Sequence, residues 1–125
     1  MIYIHIPYCR SFCTYCDFYS EVASKCSTYE NFAKALSAEI AARKCEIEIN
    51  IQSPSGVNTL YIGGGTPSVL PLSVFESILD SLEEVGCVRS FDEFTVEVNP
   101  EDIVEKGHSY VEGLLKLGVN RISMG

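Results

Sequence analysis

Short apolar, β-rich runs alternate along this chain with longer stretches in which apolar residues recur at helical spacing. Ile2–Ile6 is the first β-rich run, and Pro7 stops it, which predicts a strand. Ser27-Thr28-Tyr29-Glu30 has the Ser-x-x-Glu form of a capping box. Tyr29, Phe32, Ala33, Leu36 and Ile40 then share one helical face, so a helix is expected to run from there to about Ile47. Ser53-Pro54-Ser55-Gly56 marks a loop. Val57–Ile62 predicts a second strand, with Thr59-Leu60-Tyr61-Ile62 as its core, ending in Gly63-Gly64-Gly65-Thr66-Pro67. Pro71 suits the first turn of a second helix. Phe75, Ile78, Leu79, Leu82 and Val85 should line that helix's buried face, and Gly86 should cap its end. Phe94–Val98 predicts a third strand, followed by a turn at Asn99-Pro100. A third helix is expected near Ser109, where Ser109-Tyr110-Val111-Glu112 repeats the Ser-x-x-Glu form. Its apolar residues are Val111, Leu114, Leu115 and Leu117, with Gly118 at its end. Val119–Ser123 predicts a fourth strand.

The resulting order, β-α-β-α-β-α-β, implies an α/β fold with a parallel sheet and helical crossovers. A cysteine-rich stretch follows the first strand, three glycines follow the second, and Glu97 lies at the end of the third. Parallel α/β barrels carry their active sites on the face formed by the C-terminal strand ends.

Composition narrows the classes. At 125 residues and 46% hydrophobic, the chain has room for one domain with an ordinary core. The net charge is −8, and the nine basic residues are scattered, which argues against nucleic acid as a partner. No apolar run is long enough to span a membrane. Met1-Ile2-Tyr3 has no basic stretch of the kind that begins a secretory signal. With reduced thiols, this makes the cytoplasm the expected location.

The sharpest chemical signal is Cys9-Arg10-Ser11-Phe12-Cys13-Thr14-Tyr15-Cys16, a C-x3-C-x2-C run. A [4Fe–4S] cluster is usually held by four cysteines, so three leave one iron open to a small molecule. A zinc site is the alternative. Its fourth ligand would have to be Cys26 or His5, and the paired C-x2-C spacing is absent. A disulfide framework fits poorly with a chain this rich in Ile, Leu and Val. Cys45 and Cys87 sit in helical patterns and are expected to be structural thiols, and Cys26 a bystander. Gly63-Gly64-Gly65-Thr66-Pro67 lacks the Gly-Lys-Ser/Thr ending of a P-loop. Its glycines permit close approach of backbone to a ligand, or simply a tight strand-to-helix turn. Glu97 reads either as a ligand-facing carboxylate or as a solvated acid.

The residues flanking the cysteines carry a resemblance. Tyr3-Ile4-His5-Ile6-Pro7-Tyr8-Cys9 leads into them and Asp17-Phe18-Tyr19 follows. This resembles the radical S-adenosylmethionine (SAM) superfamily, and within it the oxygen-independent coproporphyrinogen III oxidase group, which includes the HemW-type heme chaperones. The resemblance implies a [4Fe–4S] cluster on Cys9, Cys13 and Cys16, with the amino and carboxylate groups of SAM on the open iron. It also implies an electron donor whose electron cleaves SAM to methionine and a 5′-deoxyadenosyl radical. By the same resemblance, Gly63, Gly64, Gly65 and Thr66 hold the methionine amino group, Tyr15 borders adenine, Tyr3 lies near cluster and SAM, and Glu97 contacts SAM. Core packing is the plainer reading of both tyrosines. His5 is expected to be a satisfied structural histidine, and His108 is discounted as a heme ligand.

The fold implied is a partial (β/α)6 barrel of which this chain holds about four strands. Asn120-Arg121-Ile122-Ser123-Met124-Gly125 resembles a family motif that normally runs on, so residues 1–125 are expected to be the N-terminal part of a longer core domain. Coproporphyrinogen dehydrogenases carry a further cysteine where this chain has Phe18, and in that respect it resembles the heme-chaperone branch. The implied function is therefore a HemW-like heme chaperone. The alternative is a coproporphyrinogen III dehydrogenase that forms protoporphyrinogen IX, and a structural zinc-binding domain is more remote.

Overall fold

The computed structural model describes residues 1–9, 21–22, 26–52 and 58–125. In chain order its elements are strands β1 (Ile2–Ile6), β2 (Tyr8–Cys9) and β3 (Glu21–Val22), helices α1 (Cys26–Ala42) and α2 (Lys44–Ile51), and strand β4 (Thr59–Gly64). A 3-10 turn (Pro67–Val69), helix α3 (Leu72–Glu84), strand β5 (Glu93–Val98), helices α4 (Pro100–Lys106) and α5 (His108–Lys116), and strand β6 (Arg121–Met124) complete it.

The main sheet has the order β1-β4-β5-β6, and every pair is parallel. Each new strand is added on the same side of the last. That is the winding of a barrel, whereas a doubly wound sheet reverses direction partway. β2 and β3 form a separate two-stranded parallel ladder, which the apolar pattern did not predict. Helix α1 packs on α3, and α3 on α5.

Alternate residues of β1, β4 and β5 enter one apolar layer. Ile4 and Ile6, Leu60 and Ile62, and Phe94, Val96 and Val98 are all buried in a cluster with Phe75, Ile78, Leu79, Leu82 and Leu114. Each fully buried side chain of this kind contributes about 1.5–3 kcal/mol relative to exposure. The expected buried face of the second helix is thus the observed one for α3, including Val85. Gly86 follows it at φ 98°.

Several boundaries differ from the sequence reading. The first helix begins at Cys26, so Ser27 lies within its opening turn, and it breaks at Arg43 (φ −95°, ψ 15°) before resuming as α2 through Ile51. β4 continues through Gly63 and Gly64 because the ladder with β1 pairs them with His5 and Ile6. A helix, α4, stands where a turn was expected. Asn99 caps it by accepting the Glu101 N–H at 2.9 Å, and Pro100 occupies the first position, which needs no N–H. Ser109 does not cap α5, which begins at His108 after Gly107 at φ 75°. Tyr110 and Leu114 are the buried residues of α5, while Leu115 is exposed. Cys87 is buried as expected, but Cys45 is exposed.

Candidate functional site at the C-terminal strand ends

Because the four strands run parallel, the residues after β1, at the end of β4 and at the end of β5 meet on one rim. Tyr8 fixes the first of them. Its buried ring packs edge-on against Tyr29 and Phe32 of α1, with centroids 5.5 and 5.4 Å away. The Tyr8 carbonyl accepts the Thr66 N–H at 2.6 Å, and the Ile6 carbonyl accepts the Gly65 N–H at 2.7 Å. The glycine loop is thereby stitched to the backbone that carries Cys9.

The three glycines make room for the protein's own groups. A Cβ on Gly65 would stand 2.5 Å from the Tyr8 carbonyl oxygen and 2.9 Å from Cys9 Sγ. A Cβ on Gly64, where φ is 111°, would stand 2.7 Å from His5 Nδ1. A Cβ on Gly63 would stand 2.7 Å from the Tyr61 ring and 2.9 Å from the Glu97 carboxyl carbon. Sequence reasoning offered these glycines for close approach to a ligand or for a tight turn; in the structure their missing side chains also leave room for the protein's own site residues. The space beside Cys9 Sγ is a cradle that one Cβ would fill, and Cys9 is a free thiol. A cysteine there fits a thiolate-held cluster. Cys13, Cys16, Tyr15 and Phe18 lie outside the described residues.

Glu97 is held in place across Gly63. Its Oε1 accepts the Tyr61 hydroxyl at 2.6 Å and its Oε2 accepts the Gly64 N–H at 3.1 Å. A carboxylate has about four lone-pair sites, so two contacts leave capacity for a ligand's donors. The hydrogen bond to Glu97, with burial second, pushes the Tyr61 phenol above its ordinary value. Tyr3 stacks at 5.9 Å from the Tyr61 ring, and its hydroxyl lies 3.2 Å from His5 Nδ1. Its phenol is also pushed up, by burial first and by the Glu97 charge second. His5 therefore has the structural partner expected of it. A pocket of about 260 Å³ opens beside these groups, lined by Gly65, Thr66, Pro67, Glu97, Asn99 and Ser123 among others.

The structure thus gathers Tyr3, Cys9, Gly63, Gly64, Gly65, Thr66 and Glu97. Sequence reasoning missed Tyr61 and Ser123. Tyr61 lies two positions before Gly63 on one strand and therefore on the same face, a signal that was available.

Comparison with known proteins agrees with this geometry. The chain is 37% identical over 123 residues to the heme chaperone HemW of Lactococcus lactis, covering 98% of this chain and 29% of that protein. It is 27% identical over 124 residues to the oxygen-independent coproporphyrinogen III oxidase of Paracoccus denitrificans, covering 99% and 26%. The solved structure of coproporphyrinogen III oxidase (HemN) from Escherichia coli, described as a radical SAM enzyme, superposes with a TM-score of 0.78 at 28% identity, over 98% of this chain and 26% of that one. The chain therefore spans less than a third of the length of these relatives. The model of the Radical SAM superfamily matches residues 3–125, and the chain belongs to that superfamily.

Proposed function

We propose that this chain is the cluster- and SAM-holding part of a longer radical SAM protein of heme metabolism, and that the whole protein is a HemW-like heme chaperone in the cytoplasm. The observation that carries the first half is the apposition of Gly65 and Cys9, whose Sγ lies 2.9 Å from where a Cβ at 65 would be. It sets the first cysteine of the C-x3-C-x2-C run against the glycine loop. Cys9, Cys13 and Cys16 would hold a [4Fe–4S] cluster, which supplies an electron and an open iron when bound. Gly63–Thr66 and Glu97 would bind the polar groups of SAM, Tyr3 would border cluster and SAM, and Tyr15 would border the adenine. An external donor would reduce the cluster.

The second half is supported by Phe18, at the place where the dehydrogenases it resembles carry a further cysteine. Relatives named as heme chaperones and as coproporphyrinogen III oxidases both match the chain, so the preference rests on Phe18. The test offers heme and coproporphyrinogen III to the anaerobically reconstituted full-length protein. Stoichiometric heme binding without formation of protoporphyrinogen IX is expected. Turnover of coproporphyrinogen would establish the dehydrogenase reading instead.

A further inference from the structure

Two segments form the lips of the pocket beside Glu97: Gly65-Thr66-Pro67 after β4, and Val98-Asn99 at the end of β5. Behind them lies a polar network that neither the family resemblance nor the sequence periodicity indicated. Ser68 is its hub, and it is fully buried. Its hydroxyl donates to Asp102 Oδ2 at 2.6 Å and accepts the Asn99 N–H at 2.9 Å. Its carbonyl accepts from Lys106 Nζ at 2.5 Å and from the Tyr110 hydroxyl at 3.2 Å. Asp102, the acceptor of the hydroxyl, is also fully buried, on the short helix that begins directly after Asn99.

We propose that Ser68 and Asp102 are positioning residues for SAM: they lock the glycine loop and the Glu97–Asn99 loop into one rigid rim. This rests on the cluster-and-SAM reading above. A buried carboxylate is costly unless it is hydrogen-bonded, and the bond Asp102 accepts from the Ser68 hydroxyl also fixes the geometry of the rim. The geometry fixed here is specific. The Ser68 hydroxyl spans the gap between the two lips, three residues after Gly65 on one side and at the Asn99 amide on the other. The front of the rim is closed by the Gly64 N–H donating to Glu97. With the Ser68 hydroxyl removed, the direct hydrogen bond left between Glu97 and the glycine loop is that front contact, while each lip keeps its own anchors: Tyr61 on Glu97, and the Ile6 and Tyr8 carbonyls on Gly65 and Thr66. Small displacements of positioned groups are enough to weaken binding of an aligned ligand.

The test measures SAM affinity by anaerobic calorimetric titration of the full-length protein carrying its cluster, together with iron content and melting temperature. Ser68→Ala and Asp102→Ala should each weaken SAM binding by about tenfold or more, the scale of a lost buried hydrogen bond to a charged group, with iron content unchanged. Asp102→Asn keeps an oxygen that can accept from the Ser68 hydroxyl, and should restore affinity to within about threefold of wild type. Leu79→Ala, a cavity in α3 away from the rim, controls for general softening and should lower the melting temperature while leaving SAM affinity unchanged. If Asp102→Ala does not fold, Ser68→Ala carries the same comparison. Wild-type SAM affinity in Ser68→Ala would overturn the inference, as would a loss in Leu79→Ala in proportion to its loss of melting temperature. A wild-type protein that binds no SAM would bring down the reading beneath it as well; variants matching a wild type that binds would bring down this inference alone.

Discussion

The two faces of the four-stranded parallel sheet differ in chemistry. Toward the helices stand Ile4, Ile6, Leu60, Ile62, Phe94, Val96 and Val98, all buried and all apolar. On the other face stand Tyr3 and His5, Tyr61 and Gly63, Glu93, Thr95 and Glu97, then Arg121 and Ser123, joined by ring stacking, hydrogen bonds and ladder register. Parallel strands covered by helices on both sides usually read as continuous apolar runs. Here they alternate, so the second face is not built to receive helices. Its lower end is closed by Arg121, which donates to Glu93 at 3.1 Å, while Glu97 and the glycines stand at its upper end. Stability and ligand chemistry are thus separated by the two-residue period of a strand.

The separation predicts substitutions that damage one property and spare the other. The largest effect is expected at the rim. Cys9→Ala should abolish the cluster, measured as iron and acid-labile sulfide after anaerobic reconstitution, whereas Cys45→Ala, at an exposed thiol, should retain it. Equal cluster content in the two variants would remove the rim from the argument. On the helix side, Phe94→Ala should cost about 3–5 kcal/mol of folding stability by denaturant unfolding, because a fully buried ring leaves a cavity.

Gly65→Ala probes the seam between loop and cysteine. The added Cβ would meet the Tyr8 carbonyl oxygen at 2.5 Å, and backbone on both sides limits relief. Overpacking of this kind costs about 1–3 kcal/mol. Because Cys9 Sγ is the next atom in its way, cluster content should fall along with SAM affinity. A variant that lost SAM binding with iron content intact would return Gly65 to the role of a purely ligand-facing glycine.

The legible and the illegible parts of this molecule divide by sequence separation. α3 was readable from its buried face, because Phe75, Ile78, Leu79 and Leu82 obey a local period. The alternation of β and α elements sufficed for the parallel sheet, and hence for placing Cys9, Gly63–Gly65 and Glu97 on one rim. α4 was hidden because Asn99-Pro100 suits a turn and a helix start equally, and seven residues show little periodicity. The strand end at Gly63-Gly64 was misplaced because glycine punctuates locally, while the ladder with β1 is a long-range effect. The Ser68–Asp102 bond joins residues 34 positions apart through a helix that the pattern did not show, so no local signal announced it.

The smallest expected effect tests the link between Glu97 and Tyr61 through titration. The Glu97 carboxylate accepts the Tyr61 hydroxyl at 2.6 Å, and that bond is the leading reason the phenol is held above its ordinary value of 10.0. A phenolate beside a carboxylate would lose the bond and gain a like-charge neighbour. The sign follows from linkage. A phenol whose folded pKa is raised contributes stability that is complete below pH 10.0, the ordinary value, and is lost as pH rises through the folded pKa. Glu97→Gln removes the charge but keeps an oxygen acceptor. The Tyr61 titration should therefore move down toward 10.0 without reaching it, read as phenolate absorbance against a Tyr61→Phe control. The same variant should weaken SAM binding by about 1–3 kcal/mol if the remaining lone pairs of Glu97 meet the ligand. Loss of SAM affinity with an unmoved tyrosine titration would mean that Glu97 acts on the ligand without the clasp to Tyr61. A shifted titration with full affinity would make the clasp structural and place the ligand's contacts elsewhere on the rim.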